Sequence, residues 1–218
     1  MSYPSAPWTL KGYAVQTVQL VDIERSRPLI PQELEIVSVW PGKTIGGVYL
    51  SSYKLGSTLE YNELIVVPGM VSYAGKFGSW ISHIYVDNPD SVAGGREIWG
   101  LPKELAEFTW LTGDESSVIV KQGDKELCSL TYTKPSLALP VSLDLPSFGS
   151  SISDFLLFKG EFASRVGLVS GKLQVPTESP FTSLNLGQPW LTVYADDLRL
   201  AVNAPEVVGE RKVEFSYS

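Results

Sequence analysis

The stretch Gly94-Gly95-Arg96-Glu97-Ile98-Trp99-Gly100-Leu101-Pro102-Lys103-Glu104 places one lysine directly after a proline, within a largely apolar segment bounded by glycines. A free lysine has a pKa of about 10.4 and is almost entirely ammonium at neutral pH. It attacks a carbonyl only when burial or a neighbouring cation favours the neutral amine. The stretch therefore indicates Lys103 as a candidate nucleophile. The residues alone leave open the commoner alternative, a solvated lysine in a loop.

The composition predicts one globular domain over residues 1–218. Of the 218 residues, 44% are hydrophobic and 19% are charged, which is enough for a sizeable core. A formal net charge of -7 opposes attraction to nucleic acid and to anionic membrane surfaces, so we expect neither as a partner. The N-terminal residues have no basic segment followed by an apolar one, and no apolar run approaches the roughly 18 residues of a spanning helix. We therefore expect a cytoplasmic protein.

Most of the chain has the alternating, β-branched and aromatic pattern that is typical of strands. Helical periodicity is weak and confined to short segments at 25–30, 90–97 and 179–184, the second of which Asp90 or Ser91 is predicted to cap. Gly123-Asp124 predicts a hairpin. This pattern favours a mainly β fold, an α+β arrangement with few short helices, in which an antiparallel sheet curls toward a barrel. The predicted strands are 13–21, 34–40, 47–53, 61–67, 80–86, 106–111, 118–122, 126–133, 155–162, 171–175, 190–195, 198–202 and 213–217.

The segment 134–153 is rich in proline, serine and glycine, as linkers are. It also carries a large aliphatic residue at every second position from Leu137 to Leu145, which a solvated linker would not. We interpret it as a packed loop or an edge strand.

Single residues restrict the chemistry. His83 is the only histidine, so neither a multi-histidine metal site nor a pair of histidines acting as acid and base is available. Gly94-Gly95 is followed by no phosphate-binding pattern, so we expect no nucleotide and no other cofactor. Cys128 lies between aliphatic neighbours and is predicted to be a buried structural thiol. Asp196-Asp197 predicts a turn rather than a metal site.

Glu63 shares one face of its predicted strand with Tyr61 and Ile65. A carboxylate on an inner face is costly without a partner. The spacing alone therefore favours an outward, solvated Glu63 over a buried one.

Several motifs resemble the acetoacetate decarboxylase family. Tyr-Val-Asp-Asn at 85–88, Gly-Arg-Glu at 95–97 and Pro-Lys at 102–103 are similar, in residues and spacing, to the central motif of that family. The resemblance implies a closed, cone-like antiparallel β-barrel. Weaker matches flank the core on both sides, namely Pro-Gln-Glu-Leu-Glu-Ile at 31–36, Tyr-Asn-Glu at 61–63 and Asn-Ala-Pro-Glu-Val at 203–207.

The resemblance also implies site residues. Lys103 falls on the family's Schiff-base lysine and Glu63 on a carboxylate of its active-site cavity. A neutral lysine adds to a ketone and loses water to give a protonated imine, which accepts the electrons released when a β-carboxylate leaves as CO2. Glu63, or a water that it orients, is the candidate to return a proton to carbon.

The sequence departs from the family pattern at charged positions. The second lysine of the family's decarboxylases is Glu104 here. The family's cavity arginine aligns near Gly12, with only Lys11 adjacent, and a second cavity glutamate aligns near Gly47 and Val48. Burial of Lys103 would then have to supply the activation that the second lysine gives elsewhere in the family.

Two classes of function are therefore predicted. The first is a Schiff-base enzyme that decarboxylates a small β-keto acid such as acetoacetate, or a relative that uses the imine for aldol or dehydration chemistry on an oxo acid. The second is a protein that binds an apolar small molecule without turnover. Tyr61, Trp99, Leu101 and Tyr53 are the predicted wall residues in either case. The family tends to assemble, so we expect a homo-oligomer, with candidate interface anchors at Trp8, Trp40, Trp110 and Trp190.

Overall fold

The structure is a computed structural model that describes residues 3–113 and 115–211. It confirms the mainly β fold. The helices α1 and α2 span Ile23–Ser26 and Pro89–Trp99, and short 3-10 turns lie at Arg27–Leu29 and Thr182–Leu184. Strands β1 to β16 span Trp8–Asp22, Glu35–Ile36, Lys43–Tyr53, Tyr61–Val67, Gly69–Tyr73, Lys76–Trp80, His83–Val86, Lys103–Leu105, Glu107–Leu111, Glu115–Gln122, Lys125–Thr133, Leu139–Ser150, Asp154–Leu168, Gly171–Gln174, Leu191–Val202 and Glu206–Glu210.

The described strands form two sheets. The larger sheet has the order β2-β5-β6-β12-β13-β15-β1-β3-β4-β7-β8, with β16 also paired to β13, and the smaller one has the order β14-β11-β10-β9. Closure of the larger sheet into a barrel is not confirmed, since its end strands β2 and β8 do not pair with each other in the described residues. The chain leaves β8 after Leu105 and continues into β9 of the smaller sheet.

Side-chain alternation along β3 and β4 separates a core from a cavity. Leu50 and Leu64 lie opposite each other in the register and are completely buried in the core cluster shared with the smaller sheet. The alternate residues of β4, Tyr61, Glu63 and Ile65, point to the opposite face and line a cavity. The period of two in the sequence therefore sets which side chains stabilise the fold and which are available to a ligand.

The segment predicted as a packed loop or edge strand is strand β12. Residues 139–146 pair with β13 on one side, whereas β6 reaches only Ser147 and Phe148 on the other, so the first part is an edge within the described residues. The expected packing of its aliphatic residues is wrong, because Leu139, Leu143 and Leu145 are 58%, 43% and 41% exposed. The missing strand on that edge leaves these leucines uncovered.

Other local predictions differ in detail. The predicted turn at Asp196-Asp197 is an irregularity inside the single strand β15, where Asp197 has a φ of 49°. The strand predicted at 34–40 is reduced to β2, and the strand predicted at 80–86 is divided between β6 and β7. The strand predicted at 213–217 lies outside the described residues.

Several local predictions are confirmed. The hairpin at Gly123-Asp124 joins β10 to β11, with Gln122 opposite Lys125. Cys128 is completely buried, and burial raises the pKa of its thiol to about 12. His83 lies on strand β7, and partial burial lowers the pKa of its imidazole.

None of the helices in the described ranges has the length and apolar character needed to cross a membrane.

Candidate active site

Helix α2 and the turn after it bring Lys103 to the cavity. The side chain of Asn88, rather than Asp90 or Ser91, caps the helix by accepting hydrogen bonds from the backbone N–H groups of both residues. Gly100 ends the helix in the left-handed region, with a φ of 62°, which glycine adopts without strain. The chain then turns into β8, where Lys103 lies beside Ile84 of β7.

The glycine and arginine of the motif have direct roles in holding Lys103. A Cβ atom on Gly95 would lie 2.7 Å from Cε of Lys103, so only glycine leaves room for the lysine stem against the helix. Arg96 donates from Nε to the backbone carbonyl of Lys103 over 2.7 Å. The distance in sequence between Gly-Arg-Glu and Pro-Lys thus allows the lysine side chain to pack back onto the helix that precedes it.

The Lys103 amine is buried at the wall of the cavity and has four close partners. The residue is 3% exposed, and Nζ lies 2.9 Å from Oε1 of Glu63 and 3.0 Å from Oγ of Ser91. It also lies 4.9 Å from the centre of the Tyr61 ring and 5.8 Å from that of Trp8. A buried ammonium needs such a set of partners, since each compensates part of the lost hydration. The alternative of a solvated lysine is therefore excluded.

Glu63 is the buried partner of Lys103, not the solvated residue that its spacing favoured. It is 4% exposed and lies opposite Ser51 of β3 and Val86 of β7. Its second oxygen, Oε2, accepts a hydrogen bond of 3.1 Å from the hydroxyl of Tyr53. Burying the Glu63 carboxylate alone would be costly, but Lys103 and the Tyr53 hydroxyl together compensate that cost.

The phenols beside Glu63 remain neutral. Burial, followed by the charge of Glu63, raises the pKa of Tyr53 well above its usual value, and the same two causes act on Tyr61. The hydroxyls of Tyr49 and Tyr53 lie 3.3 Å apart. The neutral hydroxyl of Tyr53 can therefore donate its hydrogen bond to the Glu63 carboxylate at neutral pH.

The cavity has a volume of about 370 Å³ and walls that are mainly apolar. Tyr61, Trp99 and Leu101 line it as predicted wall residues, whereas Tyr53 lies behind Glu63 and is not among the lining residues. Its described walls are formed by Trp8, Leu10, Gln16, Val18, Ile45, Gly46, Gly47, Val48, Tyr49, Tyr61, Glu63, Ile65, Val67, Met70, Ser79, Ile81, Ile84, Trp99, Leu101, Lys103, Asp144, Leu145, Pro146, Ser147, Phe158, Gly160, Phe162, Leu200 and Val202.

Lys103 is the only cation among the described residues that line the cavity. Lys11 is exposed, and its ammonium lies near Gly56, so it does not replace the family's arginine. Gly47 and Val48 reach the wall without bringing a charge. Because Glu63 already pairs with Lys103, the inner part of the cavity holds no surplus positive charge for an acidic ligand.

Glu104 lies outside the site. It is exposed, and its Oε2 accepts a hydrogen bond of 2.8 Å from Nε2 of Gln122. Consecutive residues of a strand point to opposite faces, so the chain that buries Lys103 turns Glu104 outward. The residue that replaces the family's second lysine therefore does not face the Lys103 amine.

Two site residues were missed by the sequence analysis. Ser91 was considered only as a helix cap, yet it is completely buried and contacts the lysine amine. Trp8 was predicted as an interface anchor, but it is 2% exposed and packs edge-on against Trp99 beneath the site. The Ser91 contact depends on how the chain turns back after helix α2, and the Trp8 contact joins residues that are distant in the chain, so neither follows from spacing alone.

The fold and the site define a mainly β protein that holds a buried pair of lysine and carboxylate in an apolar cavity. The sequence model of the family described as acetoacetate decarboxylase (ADC) matches residues 2–162. The chain therefore belongs to the acetoacetate decarboxylase family.

Two relatives with different names each match about half of this chain. Protein NEOXANTHIN-DEFICIENT 1 of Solanum lycopersicum is 32% identical over 109 residues, which is 50% of this chain and 37% of that protein. Acetoacetate decarboxylase 1 of Mesorhizobium japonicum is 29% identical over 120 residues, which is 54% of this chain and 46% of that protein. The matched segments thus span less than half of either relative.

A solved structure shares the fold. The acetoacetate decarboxylase of Legionella pneumophila superposes with a TM-score of 0.73 and 19% sequence identity, covering 96% of this chain and 90% of that chain. At this identity the likeness concerns the fold alone.

Proposed function

We propose that the protein is a Schiff-base-forming decarboxylase that acts on a β-keto acid through an imine on Lys103. The observation that carries the proposal is the buried contact of 2.9 Å between Nζ of Lys103 and Oε1 of Glu63, at the wall of a cavity large enough for a small molecule. A buried lysine beside a carboxylate is a nucleophile next to a proton acceptor.

The contact offers a route to the neutral amine without a second cation. Transfer of one proton from Nζ of Lys103 to Oε1 of Glu63 converts the ion pair into an amine and a carboxylic acid, which leaves no net charge behind. Desolvation penalises both charges of the ion pair, and this transfer removes both at once. A ligand that excludes water from the cavity increases that penalty.

The reaction then follows from carbonyl chemistry. The amine adds to the keto carbon, and loss of water, for which Glu63 returns its proton, gives a protonated imine and the Glu63 carboxylate. The bond between the α-carbon and the carboxylate breaks, CO2 leaves, and its electron pair passes through the α-carbon to the imine nitrogen, giving an enamine. A proton from solvent, delivered by Glu63 or by a water that it orients, adds to the α-carbon, and hydrolysis of the imine releases the ketone and regenerates Lys103.

Two further residues have positioning roles in the proposal. Ser91 contacts Nζ from helix α2 and fixes the direction of the amine. Tyr53 donates to Oε2 of Glu63, which leaves Oε1 for Lys103. Both contacts restrict rotamers at the reacting atoms, which is how a site keeps its geometry.

The proposal is tested by CO2 release from 3-oxobutanoate, corrected for the spontaneous rate. The matched control is Lys103→Arg, which keeps a cation beside Glu63 but has a guanidinium that cannot become a neutral nucleophile. We expect the variant to fold and to lose all enzyme-dependent release. Equal release by the variant would exclude the imine on Lys103.

A second candidate function is binding of an apolar small molecule without turnover. It is favoured by one observation, that the cavity has mainly apolar walls and a single lining cation already paired with Glu63 among the described residues. Binding of apolar compounds, together with no CO2 release from any keto acid of a panel, would favour this function over the enzyme.

A further inference from the structure

One apolar wall of the cavity, here called the groove, leads from Lys103 toward solvent. Two rows of neighbouring residues cross four strands of the larger sheet. One row joins Leu143, Phe162, Leu200 and Leu10, and the second joins Leu145, Gly160, Val202 and Trp8. Three inter-strand steps cover about 14 Å at the usual spacing of strands. All of these residues except Leu143 line the cavity.

The second row runs from solvent to the lysine. Leu145 is 41% exposed at one end, and Trp8 is 2% exposed at the other, with its ring 5.8 Å from Nζ of Lys103. Gly160 has no side chain, and Leu200 reaches over it, because a Cβ atom there would lie 3.1 Å from Leu200 Cδ1. The wall between Leu145 and Trp8 is therefore formed by the aliphatic side chains of Leu200 and Val202.

The rim of the cavity identifies where the groove meets solvent. Of the described lining residues, four are exposed, namely Gln16, Asp144, Leu145 and Pro146. Three of the four belong to β12, in the part whose outer edge pairs with no strand of the described chain. The mouth is therefore at β12, beside its exposed leucines.

We propose that the ligand whose carbonyl reaches Lys103 carries an aliphatic chain, and that this chain lies in the groove along Leu200 and Val202 and leaves the cavity at Leu145. This inference rests on the proposed imine chemistry for the position of the carbonyl. The groove offers no described charge between Lys103 with its Glu63 partner and Asp144 at the rim. Each methylene of such a chain leaves water for an apolar surface, whereas a short acid such as 3-oxobutanoate leaves the groove empty.

The groove is tested with ligands that cannot form an imine. We would titrate the protein with 1-butanol, 1-hexanol and 1-octanol and follow the fluorescence of Trp8 and Trp99, which both line the cavity. Burial of each methylene should strengthen binding about fourfold, which is about 200-fold from butanol to octanol. Affinity that rises less than twofold per methylene would overturn the proposal.

Two variants and a control locate the chain. Leu145→Ser removes an apolar contact at the mouth, and Gly160→Ala pushes the Leu200 side chain toward the groove. Each should weaken 1-octanol binding about fivefold and leave 1-butanol unchanged, since only the longer chain reaches this part of the groove. Leu139→Ser is the matched control, because Leu139 is an exposed leucine of the same strand that does not line the cavity. An equal effect of Leu139→Ser and Leu145→Ser would overturn the assignment of the groove.

A substrate series connects the groove to turnover. The ratio kcat/KM for CO2 release should rise from 3-oxobutanoate to 3-oxohexanoate and 3-oxooctanoate, and Leu145→Ser should remove that rise. A flat series would overturn the inference while leaving the imine intact. Loss of the imine with a steep alcohol series would instead overturn the proposed function and keep the groove.

Discussion

Gly95→Ala should separate the position of Lys103 from the stability of the fold. The substituted Cβ would lie 2.7 Å from Cε and 3.0 Å from Cγ of Lys103, and closer still to Cδ. Ordinary carbon contacts are about 3.5 to 4.0 Å, so the lysine stem must move by about 1 Å. Because the side chain is 3% exposed and bonded to both Glu63 and Ser91, it cannot move without disturbing those contacts.

The expected effect on rate is much larger than the effect on stability. A displacement of about 1 Å at a reacting group can cost about 100-fold in rate. Overpacking costs about 1 to 3 kcal/mol, but alanine is favoured over glycine inside helix α2 by about 1 kcal/mol, which offsets part of that cost. We therefore expect a folded variant whose free energy of unfolding falls by no more than about 2 kcal/mol.

The assay pairs initial rates of CO2 release with urea unfolding followed by circular dichroism. Gly113→Ala is the control, since Gly113 lies outside the cavity and a Cβ there would meet only Glu115 O, at 3.2 Å. A Gly95→Ala variant that is folded and retains a rate within threefold of the original protein would refute the account of the motif.

Three other predictions concern charge, pH and assembly. Glu63→Gln should lower kcat for CO2 release about 100-fold, which is the usual loss for a proton-transfer group. Glu104→Lys should leave the rate and the acidic limb of its pH profile unchanged, because Glu104 faces solvent. A shift of that limb would place Glu104 in the site. Burial raises the pKa of Cys128 from 9.0 to about 12, so the folded state holds that proton more tightly than the unfolded one. The stability from the protonated thiol is thus complete below about pH 9 and is lost as the pH rises toward 12. Between pH 8 and pH 10.5, the free energy of unfolding measured in urea should therefore fall less for Cys128→Ala than for the original protein. Equal falls in the two proteins would contradict this prediction. We also expect a homo-oligomer that uses Trp40 and Trp190, which are 68% and 73% exposed, and a mass of 23.9 kDa by light scattering would contradict this.

The elements that the sequence predicted well are those in which local pattern and burial agree. Strand β4 was predicted at 61–67 and is found at Tyr61–Val67, because each of its faces meets a different environment and the side chains alternate accordingly. Strand β12 shows the limit of that argument. Its aliphatic residues at every second position indicate a strand, but only the pairing of the whole sheet decides whether another strand covers them. The same limit applies to closure of the barrel, which depends on distant strand ends.

The residues of the site also differ in how well the sequence could predict them. Lys103 could be found from its own neighbours in the chain, since the glycines, the arginine and the proline that hold it are all within nine residues. Glu63 could be placed inside only through the family resemblance, because the lysine that compensates its charge is 40 positions away. Ser91 and Trp8 carried no signal that distinguishes a site residue from a cap or a core tryptophan.

Trapping of the imine tests the central claim most directly. Borohydride added with 3-oxobutanoate should reduce the imine to a stable secondary amine, and peptide mass spectrometry should find the added mass on Lys103. The same treatment of Lys103→Arg should leave that peptide unchanged. No adduct on Lys103 with 3-oxobutanoate, pyruvate or longer 3-oxo acids would contradict the account and leave the cavity as a binding site.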